Sequence, residues 1–167
     1  MALVDIDNPV VIQDQRLLGL FQFWHAKLNG RRIPASSAFD RVDMARWADN
    51  LMMVDVPGDI ADFRIRWLGA NLAEMFATPR AGTGMEAMTS VGERSSVLPQ
   101  YRVVIDTGLP AYYATEVELS KRGVVAQKKL ILPLSSDGET VDAVLAGIYP
   151  ELPRKTQRGT RRGGSPG

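Results

Sequence analysis

A chain of 167 residues can bury one sizeable core, and its 45% hydrophobic and 23% charged side chains are the balance of a globular domain. The absence of cysteine excludes disulfides, thiolate metal ligands and a cysteine nucleophile. The net charge of +1 is uneven, since residues 151–167 hold five basic side chains against Glu151 while the other 150 carry 15 basic and 18 acidic ones.

No apolar run approaches the roughly 20 residues of a membrane span. The opening MALVDIDNP lacks the charged, apolar and small-residue segments of a secretory signal. A cytoplasmic location, away from membranes, is therefore expected. Residues 1–11 show no periodicity and read as a flexible N-terminus. Over 12–29 the spacing predicts a helix, with Leu17, Leu20, Phe21, Trp24 and Leu28 in one apolar stripe and Asn29-Gly30 as its stop. Phe23 lies off the stripe and points to a second contact. Arg31-Arg32-Ile33-Pro34 should run extended, because the residue before proline avoids the helical region. A short helix is expected from Asp40, with Asp43 three residues on completing an acidic variant of the capping box and Met44 and Trp47 as buried contacts.

The stretch 51–69, LMMVDVPGDIADFRIRWLG, reads as a hairpin with a turn at Pro57-Gly58-Asp59. Period-two alternation places Phe63, Ile65 and Trp67 on one face and Arg64 and Arg66 on the other. Helical spacing returns at Leu72, Met75 and Phe76 and must stop at Pro79. A loop at 81–84 and one further turn over Met85–Met88 precede a longer helix at 93–107. There Val97, Tyr101, Val104 and Ile105 share a face and Gly108 ends the element. Pro99 suits only a first turn, so the regular part should begin near Leu98.

Three strands are expected at 109–120, 124–134 and 140–149, joined at Arg122-Gly123 and Ser136-Asp137-Gly138. A two-residue turn at Arg122-Gly123 pairs Glu116 with Lys129. It puts Tyr113, Thr115 and Val117 on one face with Leu130, Lys128 and Ala126. Lys128 then projects from the inner face, its amine reaching either water or a bound anion. The last strand is apolar on both sides and belongs in the middle of a sheet covered on both faces. The first helix is the natural cover for the outer face, from its own chain or a partner's, over Ile131, Val144 and Ile148. Residues 151–167 lack periodicity and read as a disordered basic tail.

Two strands, a run of short helices ending in a longer one, then three antiparallel strands is the order of a PAS domain. The chain resembles a PAS-like family of bacteria, chiefly alphaproteobacteria, over residues 15–150. The resembling residues are Trp24, Gly30-Arg31-Arg32-Ile33-Pro34, Asp40, Asp43, Asn50-Leu51-Met52-Met53-Val54-Asp55, Phe63-Arg64-Ile65-Arg66-Trp67-Leu68-Gly69 and Thr83-Gly84. It departs from that family at Ser36, Arg41 and Ala81. The resemblance implies an α+β domain spanning 12–150, with a five-stranded antiparallel sheet in the order 2-1-5-4-3. Helices are expected on one face and the N-terminal helix on the other. It implies a sensory or regulatory module and carries over no catalytic motif.

His25 is the only histidine, and haem-binding relatives place theirs on the long helix at 93–107, which has none. Light-sensing flavin relatives need a cysteine, also absent. No calcium-loop spacing, phosphate loop or nucleophile elbow occurs, so no cofactor, metal or catalytic residue is assigned. The methionines Met44, Met52, Met53, Met75, Met85 and Met88 fit either core filling or an adaptable pocket. The leading expectation is a non-enzymatic regulatory module acting through an unidentified signalling protein. It would be a homodimer through Leu17, Leu20, Phe21 and Trp24. The alternative is a small-molecule sensor whose pocket is lined by Trp67, Met75, Met85, Tyr101, Tyr113 and Lys128. Nucleic-acid binding is not expected, because five tail charges are a weak signal.

Overall fold

A computed structural model describes residues 2–58, 62–75, 91–119 and 123–151. In chain order they form β1 (Ala2–Leu3), α1 (Gln15–Ala26), β2 (Leu51–Asp55), β3 (Arg64–Leu68), α2 (Ala70–Met75), α3 (Val91–Thr107), β4 (Ala111–Leu119), β5 (Gly123–Leu134) and β6 (Ala143–Glu151). The strands build one antiparallel sheet in the order β1-β4-β5-β6-β2-β3. The five predicted strands stand in the predicted order, and β6 is central. The sixth, β1, adds to the β4 edge. It corrects the expectation of a flexible N-terminus: Ala2 pairs with Tyr112 and Leu3 with Ala111, the Val4 amide donates to the Pro110 carbonyl at 2.8 Å, and Val4 and Ile12 are buried. Two strand residues and two isolated apolar anchors are too few to produce a periodicity.

Helix α1 starts on Asp14, whose carboxylate accepts from the amides of Arg16 at 2.9 Å and Leu17 at 3.3 Å. Leu17, Leu20, Phe21 and Trp24 pack in one cluster with Leu51, Met53, Leu130, Leu132 and Leu145 of the same chain. Close approach is possible because β6 carries Gly147, where a Cβ would lie 2.7 Å from Leu20 and 2.9 Å from Leu17. The Trp24 indole donates to the Pro133 carbonyl at 2.9 Å. Phe23 makes its second contact with Phe39 and Trp47, at ring separations of 5.9 and 5.6 Å.

A second cluster fills the other face, where Tyr101 and Val104 of α3 and Leu72 of α2 meet Val54, Phe63, Ile65, Ile131, Val144 and Ile148. The two-sided strand is therefore confirmed, with its faces exchanged. Helix α1 covers Ala143 and Leu145, whereas Ile131, Val144 and Ile148 face α3. Two helix expectations also change. The segment from Asp40 forms turns and a 3-10 turn at Ala48–Asn50 rather than an α-helix. The Asp40 carboxylate accepts from the Val42 amide at 2.7 Å, and this local bond competes with helical pairing. Met44 and Trp47 are buried as expected. Helix α3 starts at Val91 and runs through Pro99. A proline removes one hydrogen bond, and packing of the following turns on the sheet holds the helix despite it.

Two register features decide which side chains reach which face. A bulge between Met53 and Val54 pairs Met53 with Trp67 but Val54 with Ile65, leaving Arg66 as the extra residue. Trp67 is thereby turned to the α1 side, away from Phe63 and Ile65. In the β4–β5 ladder Leu119 pairs with Gly123, so three residues connect the strands instead of two. Glu116 consequently faces Ala126, not Lys129, and Tyr113 faces Lys129. The expected turn at Arg122, the helical positions Phe76 and Met88, the loop at 81–84 and the tail beyond Glu151 lie outside the described residues.

Candidate functional site

Several of the residues shared with the PAS-like family are fasteners. Arg31 donates to the carbonyls of Ser135 at 3.3 Å and Ser136 at 3.0 Å, and Arg32 to that of Glu139 at 2.9 Å. Together with the Ser135 amide bonded to Pro34 O at 2.9 Å, they tie the exit of α1 to the β5–β6 turn. The Asn50 amide donates to Ile148 O at 2.9 Å, and Gly69 N to Leu51 O at 2.8 Å. Each of these donors is engaged by a backbone carbonyl of the fold.

The chemistry lies elsewhere, on the inner face at the β4–β5 end. Tyr113 stands opposite Lys129, and Thr115 opposite Gln127, so strand alternation puts all four on the α3 side. Lys129 is 2% exposed. Its ammonium donates to Gln100 Oε1 at 3.0 Å and sits 5.6 Å from the centre of the Tyr101 ring. No carboxylate among the described residues pairs with it. Burial pushes its pKa down to about 8. The Tyr113 hydroxyl donates to the Gln100 carbonyl at 3.4 Å. Burial raises the Tyr101 and Tyr113 phenols above their ordinary value, and the neighbouring Tyr113 raises Tyr101 further. Thr115 Oγ1 is buried without a hydrogen-bond partner. Tyr101 also meets Phe63 edge-on at 6.1 Å, joining this polar block to the apolar remainder of the face.

Of the predicted pocket residues, Tyr101, Tyr113 and Met75 lie in or against the inner cluster. Trp67 does not, because the bulge turns it toward α1, where Arg41 stacks over it at 5.4 Å. Lys128 does not either: the register sends it to the other face, where it pairs with Glu151 at 3.1 Å and its pKa is raised by that partner. Met85 lies outside the described residues. The missed residues are Lys129, Gln127, Thr115 and Gln100. Adjacent lysines at 128–129 signalled that one must point inward, but only the register says which. The predicted dimer stripe, Leu17, Leu20, Phe21 and Trp24, is buried inside the monomer. His25 is exposed beside Phe21, at 5.9 Å between rings.

A separate cleft of about 360 Å³ is lined by Arg16, Asn50, Asn71, Glu74, Met75, Tyr149 and Pro150. Its polar groups are largely engaged: Arg16 with Asp14 at 2.8 Å and over Tyr149 at 3.9 Å, and Asn71 with Asn50 at 3.0 Å. The described residues contain no acid–His–Cys group able to hold a metal, and no helix among them is long and apolar enough to cross a membrane.

A family model described as a PAS domain matches residues 12–149. Among solved structures, a PAS domain from Colwellia psychrerythraea is 7% identical, with 68% of this chain and 98% of that one covered and a TM-score of 0.50. A substituted RsLOV is 11% identical over 70% of this chain and 68% of its own, with a TM-score of 0.52. The structure described as VqmA bound to DPO is 14% identical over 66% of this chain and 56% of its own, with a TM-score of 0.51. A sequence search of curated proteins finds no match. At these identities the structural likeness is one of fold.

Proposed function

This chain belongs to the PAS domain family, and from that premise we propose that it senses a small molecule held between the inner face of the sheet and α3, and signals without catalysis to a partner protein. One observation carries the reading: the buried Lys129–Gln127–Thr115–Tyr113 block on an otherwise apolar face. A purely structural face gains nothing from an ammonium with a single amide acceptor or from an unpaired hydroxyl, since each costs desolvation free energy. A binding face needs such groups, because a few placed polar atoms in an apolar surface fix a ligand's orientation. The adaptor reading is less well supported, as its stripe on α1 is consumed by the chain's own core.

Native mass spectrometry of freshly purified protein tests the proposal. We expect a mass excess under gentle conditions that disappears on denaturation, with the released compound detected separately. Apo protein alone, from several growth conditions, would favour the adaptor.

A further inference from the structure

We propose that the ligand is a monocarboxylate, with its carboxylate received by the Lys129 ammonium; this rests on the sensor reading above.

The polar block is rich in donors and poor in charge. Lys129 has three N–H groups, of which one is directed at Gln100 Oε1. Thr115 Oγ1 has a proton to give and no protein acceptor. Gln127, buried between them on the same face, carries a further amide donor. The Tyr113 hydroxyl is already committed to the Gln100 carbonyl. A carboxylate is acceptor-only and takes several donors at once, so it complements this set where an amide, an alcohol or an amine would not.

Charge narrows the class further. Lys129 is the one buried cation among the described residues, and no carboxylate among them neutralises it. A single negative charge matches a single ammonium. A phosphate dianion would bring an uncompensated second charge beside the same buried ammonium. Tyr101, between Lys129 and Phe63, offers the ring surface against which the apolar body of such an acid can lie.

The test uses thermal shift on the whole chain with acids paired to their own amides: benzoate with benzamide, indole-3-acetate with indole-3-acetamide, octanoate with octanamide. The proposal expects an acid to raise the melting temperature of wild type above its amide. Lys129→Met should weaken that acid by about tenfold or more while leaving the amide's small effect unchanged. Lys129→Gln, which keeps a hydrogen-bonding head, takes over should the methionine variant fail to fold. Acid and amide acting equally would overturn the carboxylate and leave the sensor reading standing. Phenyl phosphate outperforming benzoate would overturn the single-charge argument. No shift by either member of any pair would overturn both proposals.

Discussion

Tyr113 stands directly opposite Lys129 across the β4–β5 ladder, and that pairing decides which of two adjacent lysines is buried. Lys129 takes the inner face, and Lys128 the opposite one beside Glu151. The choice follows from the three residues between Leu119 and Gly123, since an odd change in connection length exchanges the faces of one strand relative to the other.

The pairing has a pH signature. Lys129 has a pKa of about 8 in the fold against 10.5 in the unfolded chain. Between those values the unfolded state holds a proton that the folded state has released, so stability rises with pH from about 8 upward. The raised tyrosines act oppositely above pH 10, where the unfolded chain ionises first. Wild type should therefore gain about 2 kcal/mol between pH 7 and pH 10. Lys129→Met should be the more stable protein at pH 7 and show little of that rise. Urea midpoints at the two pH values check it, and equal pH profiles would contradict it.

The bulge makes a second prediction. Phe63 is fully buried in the inner cluster, whereas Trp67 is partly exposed on the α1 side under Arg41. Phe63→Ala should cost ~3–5 kcal/mol, the usual loss for a core aromatic. Trp67→Ala should cost less than half as much, despite removing the larger ring. Denaturant unfolding of both variants decides, and the reverse ranking would place Trp67 with Phe63.

Strand order, the central two-sided strand and α1 as a cover were all legible because each rests on a pattern spread over many residues. Leu17, Leu20, Phe21 and Trp24 repeat at helical spacing, and 143–148 is apolar throughout. What was not legible is parity. One extra residue at Arg66 turns Trp67 outward, and one extra residue between β4 and β5 exchanges Lys128 for Lys129. Neither insertion changes composition or periodicity within a strand. Both change which residues meet, and so the candidate site shifted while the fold did not. Alternation placed Thr115 on the face of Tyr113, but neither its unpartnered hydroxyl nor the role of Gln100 carried a signal, because a buried threonine or a helical glutamine has no pattern of its own.

Gly69 separates a packing glycine from a permissive one. A Cβ there would lie 2.2 Å from the Ala48 carbonyl oxygen and 2.4 Å from the Asp49 backbone, and backbone atoms cannot rotate aside. Gly58 has nothing within 4 Å of the same position. Gly69→Ala should cost at least the ~1–3 kcal/mol typical of overpacking, by separating the Ala48–Asn50 turn from the start of α2. Gly58→Ala should melt within error of wild type. Comparable changes at both positions would show that the Ala48 and Asp49 contacts do not set the cost at Gly69, since the entropy of the unfolded chain favours alanine at either site.

The β5–β6 turn should report on acid. The Asp137 carboxylate accepts from the amides of Glu139 and Thr140, each at 2.8 Å, and from the Ser135 hydroxyl at 2.8 Å. Those donors, the Glu139 amide foremost, hold its pKa at about 2, below the ordinary 3.8. A carboxyl depressed by folding contributes stability that is complete above 3.8 and lost as pH falls through about 2. Arg31 grips the carbonyls of Ser135 and Ser136 in the same turn, so loosening it also loosens the exit of α1. Asp137→Asn keeps an oxygen acceptor but cannot titrate. It should sit slightly below wild type at pH 6 and fall less steeply between pH 4 and pH 2. Asp14 is depressed likewise, through Arg16, and is present in both proteins, so the difference between the two curves isolates the turn. Parallel loss in wild type and variant would show that the carboxylate of Asp137 does not fasten it.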